Sequence, residues 1–539
     1  MAPYTSRRSR QRPPHTLIVA TIFVALLANV VTAIPVQTPG NFDPAFTKTN
    51  NLAIGNGNDR ARATALQVDG KILLAGQCVN TLNLDFCVAR FNADGSLDTS
   101  FTGPGATAAG KFMLPTGGSV GDNGATTIAL QPDGKIIVAG GCFNGGANND
   151  FCIARLHPNG SRDASFGGPG GAGNGFFPLS IGAASDYAYA VALQPDGKIV
   201  LAGQCAGINN YDFCAARLNS DGTFDTSFVG PGGNGNGKFT LPVGPKDDAA
   251  YAIVLQPDGK IVLAGTCANA GDVNEFCVAR LNADGSLDIG FNGPGVAGNG
   301  KFTFTVGGLG DAANSLLLQP DGNIVIAGYC ANASSDFCAA RLLSGNGGFD
   351  TSFVGPAGNG NGKFLVPIGT TSDIAQGAAL QTDGKIVLAG KCALNGFSYF
   401  CLARLNGDGS LDSTFDGPTG TGNGKIFVTI GSANDIATSL AVQPDGKIIV
   451  AGYCSNSGTD KFCIARLSGG PYGNKNCSMD IDGDGRVLGT TDAVLLARVA
   501  LGVTGSAVVA GAIGVGATRT TWTGIRNYLV SQCGMNVAP

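Results

Sequence analysis

Short apolar runs separated by turn residues recur along the chain and set its predicted secondary structure. In one stretch they predict four strands, at 238–243, 250–256, 260–267 and 276–281. Apolar residues fill successive positions of the third strand, which indicates burial on both of its faces. The turn before it reads Pro-Asp-Gly, where proline fixes φ, aspartate bonds the backbone and glycine accepts a positive φ. The pattern predicts short antiparallel strands in sheets stacked face to face.

This four-strand unit occurs seven times, at intervals of 62 to 64 residues. The interval is measured between the turn glycines, which are Gly70, Gly134, Gly197, Gly259, Gly322, Gly384 and Gly446. Seven repeats of about 62 residues predict a fold of the all-β class, and within that class a seven-bladed β-propeller. A β-helix and an open β-solenoid are the alternatives, but a closed ring hides sheet edges and needs no capping repeat. The segment 42–46 matches an element missing after Leu467, so it is predicted to complete the last blade.

Charge narrows the function classes. Glu275 is the only glutamate, so nearly all of the 38 acidic residues are aspartate, which favours turns over helices. The net charge is −4 and no basic stripe is present, which argues against nucleic-acid binding.

The N-terminus predicts export. Arginines lie in 7–12, a 12-residue apolar stretch follows at 17–28, and Val31-Thr32-Ala33 suits a signal peptidase. We therefore assign 1–33 as a signal peptide, with an uncleaved anchor as the alternative. No later apolar run is long enough to span a membrane, so the mature chain is predicted to be secreted into the periplasm, the medium or the cell surface.

The 16 cysteines agree with an oxidising compartment. Each repeat carries two, flanking a short loop between two strands, and facing hairpin positions lie within disulfide reach. One bond per repeat is the simplest pairing, although sequence does not fix connectivity and metal binding is the competing interpretation. The predicted pairs are Cys78–Cys87, Cys142–Cys152, Cys205–Cys214, Cys267–Cys277, Cys330–Cys338, Cys392–Cys401, Cys454–Cys463 and, outside the repeats, Cys477–Cys533.

The repeat also carries a family resemblance. Gln-Pro-Asp-Gly-Lys-Ile, Ala-Arg-Leu-Asn-Ala-Asp-Gly-Ser-Leu-Asp-Thr-Ser-Phe and Gly-Asn-Gly-Lys-Phe resemble the delta-60 repeats of bacterial exported proteins. The resemblance covers about 42–468 and implies a propeller domain, which we place at 34–468. It implies no reaction.

Composition changes after a linker at 469–476, and the segment 477–539 has its own motif. Asp480, Asp482 and Asp484 alternate before a glycine, and Arg486 offers a backbone carbonyl, as in a Ca²⁺ loop. The segment resembles a dockerin, a small α-helical module of EF-hand type, and this implies Asp492 as the closing ligand in a loop one residue longer. The second loop of a dockerin is missing, so the alternative is a disulfide-clamped helical cap with one structural Ca²⁺.

Two charged positions recur in the repeats. An aspartate precedes the turn glutamine at Asp59, Asp122, Asp186, Asp248, Asp311, Asp373 and Asp435. It is interpreted as an anchor for each inner strand, with a cation site as the alternative. An arginine recurs at Arg90, Arg155, Arg217, Arg280, Arg341, Arg404 and Arg466. Because this arginine lies on a strand among apolar neighbours, its charge needs a partner. The suitably placed aspartates are Asp98, Asp225, Asp288 and Asp412.

The sequence offers few candidate catalytic residues. His157 is the only histidine after the signal peptide and takes a turn position, which argues against histidine-based catalysis. Variation between repeats is more informative, because loops on a rigid frame form binding faces. Tyr329, Lys391, Tyr399 and Tyr453 are the candidate face. We predict a monomeric binding or scaffold protein for a protein or glycan ligand, with Ca²⁺ as a structural ion. The alternative is an extracellular polysaccharide-active enzyme, a carboxylate-based hydrolase or a lyase.

Overall fold

A computed structural model of the protein confirms the seven-bladed β-propeller. The structure describes residues 38–80, 83–104, 109–114, 123–144, 148–171, 174–207, 210–233, 235–295, 299–358, 360–417, 423–432, 434–456, 458–470, 481–483, 491–500 and 503–531. The predicted signal peptide, Asp122, Cys477, Asp480, Asp484, Arg486 and Cys533 lie outside these residues.

Each blade is one antiparallel four-stranded sheet, and its strands lie side by side in chain order except in the last blade. The first three blades comprise β2 (Asp59–Leu66), β3 (Ile72–Asn80), β4 (Asn83–Phe91) and β5 (Lys111–Leu114); β6 (Gly124–Leu130), β7 (Ile136–Phe143), β8 (Asn149–Leu156) and β9 (Phe176–Leu179); and β10 (Asp186–Leu193), β11 (Ile199–Ala206), β12 (Tyr211–Leu218) and β13 (Lys238–Leu241).

The next three blades comprise β14 (Asp248–Leu255), β15 (Ile261–Ala268), β16 (Asn274–Leu281) and β17 (Lys301–Phe304); β18 (Gly310–Leu318), β19 (Ile324–Ala331), β20 (Ser335–Leu342) and β21 (Lys363–Val366); and β22 (Asp373–Leu380), β23 (Ile386–Leu394), β24 (Phe397–Leu405) and β25 (Lys425–Val428). The seventh blade comprises β26 (Asp435–Val442), β27 (Ile448–Asn456), β28 (Thr459–Leu467) and, from the start of the array, β1 (Thr49–Leu52).

The first and last parts of the array close the ring together. Strand β1 pairs antiparallel with β28, and Phe42 forms a bridge with Leu467. The predicted completion of the last blade by the N-terminal segment is therefore confirmed. The seven first strands follow one another around the centre in the order β2, β6, β10, β14, β18, β22, β26 and back to β2, so they surround a central channel.

The turn between the first two strands of a blade has the hydrogen bonds and the positive glycine φ that its Asp-Gly sequence predicts. In blade 1, the amide of Gln67 donates to the carbonyl of Lys71 at 2.8 Å, and Gly70 takes a φ of +84°. Asp69 accepts a hydrogen bond from the amide of Lys71 at 3.1 Å. These turns lie at one face of the ring, which we call the turn face. The start of the first strand and the end of the second lie at the opposite face, which we call the disulfide face because the paired cysteines lie there.

The hydrophobic core lies between blades. Seven apolar clusters are each built from two neighbouring sheets, and the cluster between blades 7 and 1 is assembled like the other six. Leu73 and Ala75, for example, pack from blade 1 against Ile136 and Val138 of blade 2. Every sheet is therefore covered on both faces, which is why its second and third strands are apolar at successive positions.

The C-terminal segment contains three helices, α1 (Asp492–Ala500), α2 (Ser506–Val509) and α3 (Trp522–Ser531). Helix α1 buries Leu495, and helix α3 buries Ile525 and Leu529. Among the described residues, no helix has the length and apolar character needed to cross a membrane.

Candidate ligand-binding site

The recurring aspartate holds the loop that enters each blade. Asp186 is fully buried at the start of β10 and accepts hydrogen bonds from the amides of Ile181 and Gly182, at 2.8 and 2.9 Å. The other blades repeat this arrangement, except that blade 2 places Asn123 at the equivalent position, one residue after the predicted Asp122. The structure supports the interpretation of these residues as strand anchors.

Burial shifts the titration of these anchors. It raises the pKa of Asp186 and of Asp248 to about 6, and it raises the pKa of Asp311 and Asp435 in the same direction. The amide hydrogen bonds to each carboxylate, two for Asp186 and three for Asp311, lower its pKa without cancelling the effect of burial. Asp248 also lies close to the sulfur atoms of Cys267 and Cys277, but those sulfurs are bonded to each other and offer no thiolate to a metal.

A disulfide lies beside each anchor. All seven repeat pairs are bonded, and their cysteines are at most 2% exposed, within the interfaces between blades. The two cysteines are diagonal neighbours rather than facing residues, because Cys87 lies opposite Gly76 while Cys78 lies opposite Asp85. An added Cβ at Gly76 would lie 2.0 Å from the carbonyl oxygen of Arg60, so this position requires glycine.

The recurring arginine clamps each blade to the next at the turn face. Arg155 donates to the carboxylate of Asp163 at 2.8 Å and to the carbonyl oxygen of Ser220, in the turn of the next blade. The predicted pairing with aspartate is present in all seven blades. Burial alone would raise the pKa of Asp163, but hydrogen bonds from Ser165 and the charge of Arg155 outweigh it and hold the pKa at about 2. These charges serve the frame.

The first strands, which surround the channel, carry side chains that differ between blades. Each first strand has an irregular register in the same place, which marks a β-bulge. We call the residues at this position the bulge ring: Arg62, Thr126, Tyr189, Tyr251, Asn314, Gln376 and Thr438.

Members of the bulge ring fall into two groups. Thr126, Asn314 and Thr438 donate to a carbonyl oxygen on the first strand of the next blade, at 2.6 to 2.8 Å. Within the described part of the chain, the polar ends of Arg62, Tyr189, Tyr251 and Gln376 make no hydrogen bond. The rings of Tyr189 and Tyr251 pack together, with centroids 5.0 Å apart. A guanidinium, two phenols and an amide are thus available for a ligand.

The predicted binding face is only partly assembled. Tyr329, Lys391 and Tyr453 each stand between the glycine and cysteine of their second strand, on the sheet side opposite the disulfide. Tyr399 lies opposite Cys392, on the other side of its sheet, and its ring packs against Phe427. The structure therefore separates Tyr399 from the other three.

Tyr453 contacts two arginines across the seam between blades 7 and 1. The Cζ atoms of Arg60 and Arg62 lie 5.1 and 5.9 Å from the centroid of its ring. Arg60 also forms an ion pair with Asp460 at 2.7 Å. Burial lowers the pKa of Arg62 and the positive charge of Arg60 adds to this effect, whereas Tyr453 and the carboxylate of Asp460 oppose it. Neither arginine was predicted from the sequence as a site residue. Each could have been found, because it is a charged residue at a strand position that is uncharged in the other six repeats.

In the C-terminal segment, the described part of the predicted calcium loop and the start of α1 contain two buried carboxylates. Asp482 and Asp492 are at most 2% exposed. Asp492 accepts hydrogen bonds from the amides of Ile481 and Asp482, at 2.5 and 3.2 Å, and Asp482 accepts one from the amide of Gly514 at 2.6 Å.

Comparison with known proteins agrees with this architecture. A family described as "Domain of unknown function (DUF5122) beta-propeller" matches residues 67–101, 131–166, 194–228, 256–291, 319–353, 381–415 and 443–469. No curated protein matches the chain.

Solved structures with a similar fold are distant in sequence. An ulvan lyase, titled as a new family of polysaccharide lyase PL25, has a TM-score of 0.43 and 12% identity, covering 79% of this chain and 96% of that chain. Polysaccharide lyase Uly1 has a TM-score of 0.41 and 11% identity, with coverage of 80% and 96%. Sqt1 from Chaetomium thermophilum has a TM-score of 0.39 and 9% identity, with coverage of 79% and 100%. The chain is a seven-bladed β-propeller in which each of the seven repeats carries a match to the DUF5122 β-propeller family model.

Proposed function

We propose that the protein is an exported binding propeller whose ligand site is the disulfide-face mouth of its central channel. One contrast carries the proposal. The arginines and aspartates common to the blades are engaged in the frame, while four varied side chains of the bulge ring, Arg62, Tyr189, Tyr251 and Gln376, make no hydrogen bond with the described residues. Rigid strands hold that ring, and a rigid frame with varied side chains suits selective binding.

Export is supported by the seven disulfides, since such bonds persist in oxidising compartments. Each one stabilises a blade internally, which suits a scaffold that works outside the cell. The periplasm, the medium and the cell surface all meet this condition.

A ligand screen tests the proposal. Wild-type protein would be incubated with arrays of neutral oligosaccharides, acidic oligosaccharides and peptides, alongside Tyr251→Phe and Tyr399→Phe. We expect Tyr251→Phe to weaken binding several-fold, because it removes a channel hydroxyl. Tyr399→Phe is the matched control, since its ring packs on Phe427 away from the channel. A wild-type protein that binds none of these ligands would refute the proposal.

The same incubations address the enzymatic alternative. No observation on the described residues favours a hydrolase or lyase over a binding protein. Release of new reducing ends or of unsaturated sugars from any polysaccharide would overturn the assignment in favour of that alternative.

We further propose that the C-terminal segment binds one structural Ca²⁺ through its 480–492 loop and serves as a dockerin-like attachment point for a partner. Two buried carboxylates, Asp482 and Asp492, support the calcium proposal because hard cations take oxygen ligands. When bound, the ion would neutralise these charges and fix the loop that precedes α1.

Calcium titration tests this second proposal. We expect Ca²⁺ to raise the thermal midpoint of the C-terminal segment and EGTA to reverse the change. Asp492→Asn should abolish the response, whereas Asp272→Asn, on a side chain 75% exposed in a propeller loop, should leave it intact. An equal response from all three proteins, or none from wild type, would contradict the proposal.

A further inference from the structure

The seam between blades 7 and 1 differs in charge from the other six. At the two positions held by Arg60 and Arg62, no other blade carries a cation. The equivalent residues are Gly124, Tyr187, Ala249, Ala312, Ile374 and Ile436 for the first position, and Thr126, Tyr189, Tyr251, Asn314, Gln376 and Thr438 for the second.

The carboxylates of this seam are already engaged. Asp460 pairs with Arg60 at 2.7 Å, and its other oxygen accepts from Ser455. Asp59 faces Lys461 at 3.3 Å and also accepts hydrogen bonds from its own loop. Asp59 and Asp460 thus face three cations, Arg60, Arg62 and Lys461, which is an excess of one positive charge among these residues of the seam.

Arg62 is the cation left over. It makes no ion pair or hydrogen bond with the described residues, and its contact is the face of the Tyr453 ring at 5.9 Å. The seven arginines of the turn face differ from it, because each is paired with an aspartate. The charge of Asp460 acts on Arg62 without a direct ion pair. A half-buried guanidinium whose donors are unused is unfavourable, and its planar set of N–H donors matches an oxyanion.

We propose that Arg62, flanked by Arg60 and Tyr453, binds the carboxylate, sulfate or phosphate group of a ligand that enters the channel from the disulfide face. This inference rests on the proposed binding function and assigns a charge to its ligand. Arg62 supplies the free donors, Arg60 adds positive potential, and the Tyr453 ring holds both guanidiniums in place. The nearby polar members of the bulge ring would contact the uncharged part of the ligand.

Calorimetric titration tests the proposal with sulfate, inorganic phosphate, galacturonate and neutral galactose as probes, at constant ionic strength in chloride. We expect the anions to bind and Arg62→Gln to weaken them at least about tenfold, as for the loss of a charge-assisted hydrogen bond. Lys246→Gln is the matched control. It removes the same charge from a loop of the same face, where Lys246 pairs with Asp272 at 2.5 Å. Comparing the three anions shows whether Arg62 prefers a sulfate, a phosphate or a carboxylate group.

Arginine modification provides a second measurement that needs no variant. Phenylglyoxal should modify Arg62 in the free wild-type protein, and a bound anion should protect it, as read by peptide mass spectrometry. Anion binding that Arg62→Gln leaves unchanged, or that is equally lost in Lys246→Gln, would overturn the inference and indicate an adventitious ion only. If neutral ligands bind through the tyrosines while anions do not, the charge assignment fails and the binding function stands.

Discussion

Arg466 and Asp43 lie 423 residues apart in the chain, yet they form the same 2.8 Å ion pair that Arg155 and Asp163 form within one blade. Arg466 also donates to the carbonyl oxygen of Ala93, in the turn of blade 1, as each clamp arginine does to its next blade. The closing seam is therefore chemically equivalent to an ordinary seam at the turn face. The N-terminal segment supplies the aspartate that the seventh repeat lacks.

Removing Asp43 should cost as much stability as removing its equivalents. We expect Asp43→Ala to lower the free energy of unfolding by about 3–5 kcal/mol, because it leaves a buried guanidinium unpaired. Asp225→Ala, in blade 3, is the matched control and should give the same loss in urea denaturation. A much smaller effect at Asp43 would mean that the N-terminal segment is not part of the stable ring.

Stability should pass through a maximum at mildly acidic pH. The folded chain holds protons on Asp186 and Asp248 up to about pH 6, so their contribution is complete below about pH 4 and is lost as pH rises to 6. The clamp aspartates act in the opposite sense. Asp163 and Asp225, with pKa values of about 2, lose their contribution as pH falls from about 4 to 2. Thermal midpoints between pH 2 and 8 should peak at about pH 4 to 5.

Blade 2 provides a natural reference for the neutral half of this profile. It carries Asn123 where Asp186 stands in blade 3, so Asp186→Asn reproduces an anchor that the fold already accepts. We expect this variant to lose the share of the decline between pH 4 and 6 that Asp186 causes, to keep the share of Asp248, and to leave the decline at acid pH unchanged. An unaltered decline would show that other groups cause it.

The disulfides should resist reduction until the ring opens. Their sulfurs are buried between blades, so dithiothreitol should release few thiols from the repeats under native conditions and all of them after unfolding. Replacing Cys205 and Cys214 together by alanine should lower the free energy of unfolding by about 3 kcal/mol, as for a closed loop of about ten residues. Native-state reaction of these thiols with Ellman's reagent, without reductant, would contradict the pairing.

The glycine two residues before the first cysteine of each repeat should tolerate no side chain. A Cβ at Gly203 would lie 1.9 Å from the carbonyl oxygen of Tyr187, so Gly203→Ala should cost at least about 3 kcal/mol. Gly170→Ala is the matched control, because no atom lies within 4 Å of its added Cβ. Denaturation midpoints of the two variants should differ sharply.

The frame could be predicted because its determinants are local and repeated seven times. The turn, the strands and the arginine–aspartate pair lie within one repeat, and even the closure by 42–46 follows from a missing copy. The binding positions were harder to predict. A bulge removes residues such as Arg62 from the regular alternation of the first strand, and this depends on strand pairing that no single repeat displays. Tyr399 shows the same limit, because its sheet side follows from its register against Cys392.

The seven interfaces resemble one another closely, and this has a consequence for how the gene can be rearranged. Each of the seven repeat disulfides is confined to one sheet, so no covalent crosslink among the described residues joins neighbouring wedges, or blades, of the ring. The chain could be opened after the third strand of any wedge and its present ends joined. The new N-terminal segment would then supply the fourth strand of the last wedge, as β1 does now. A circularly permuted version should fold, and whole wedges are the natural unit by which such a protein grows or shrinks.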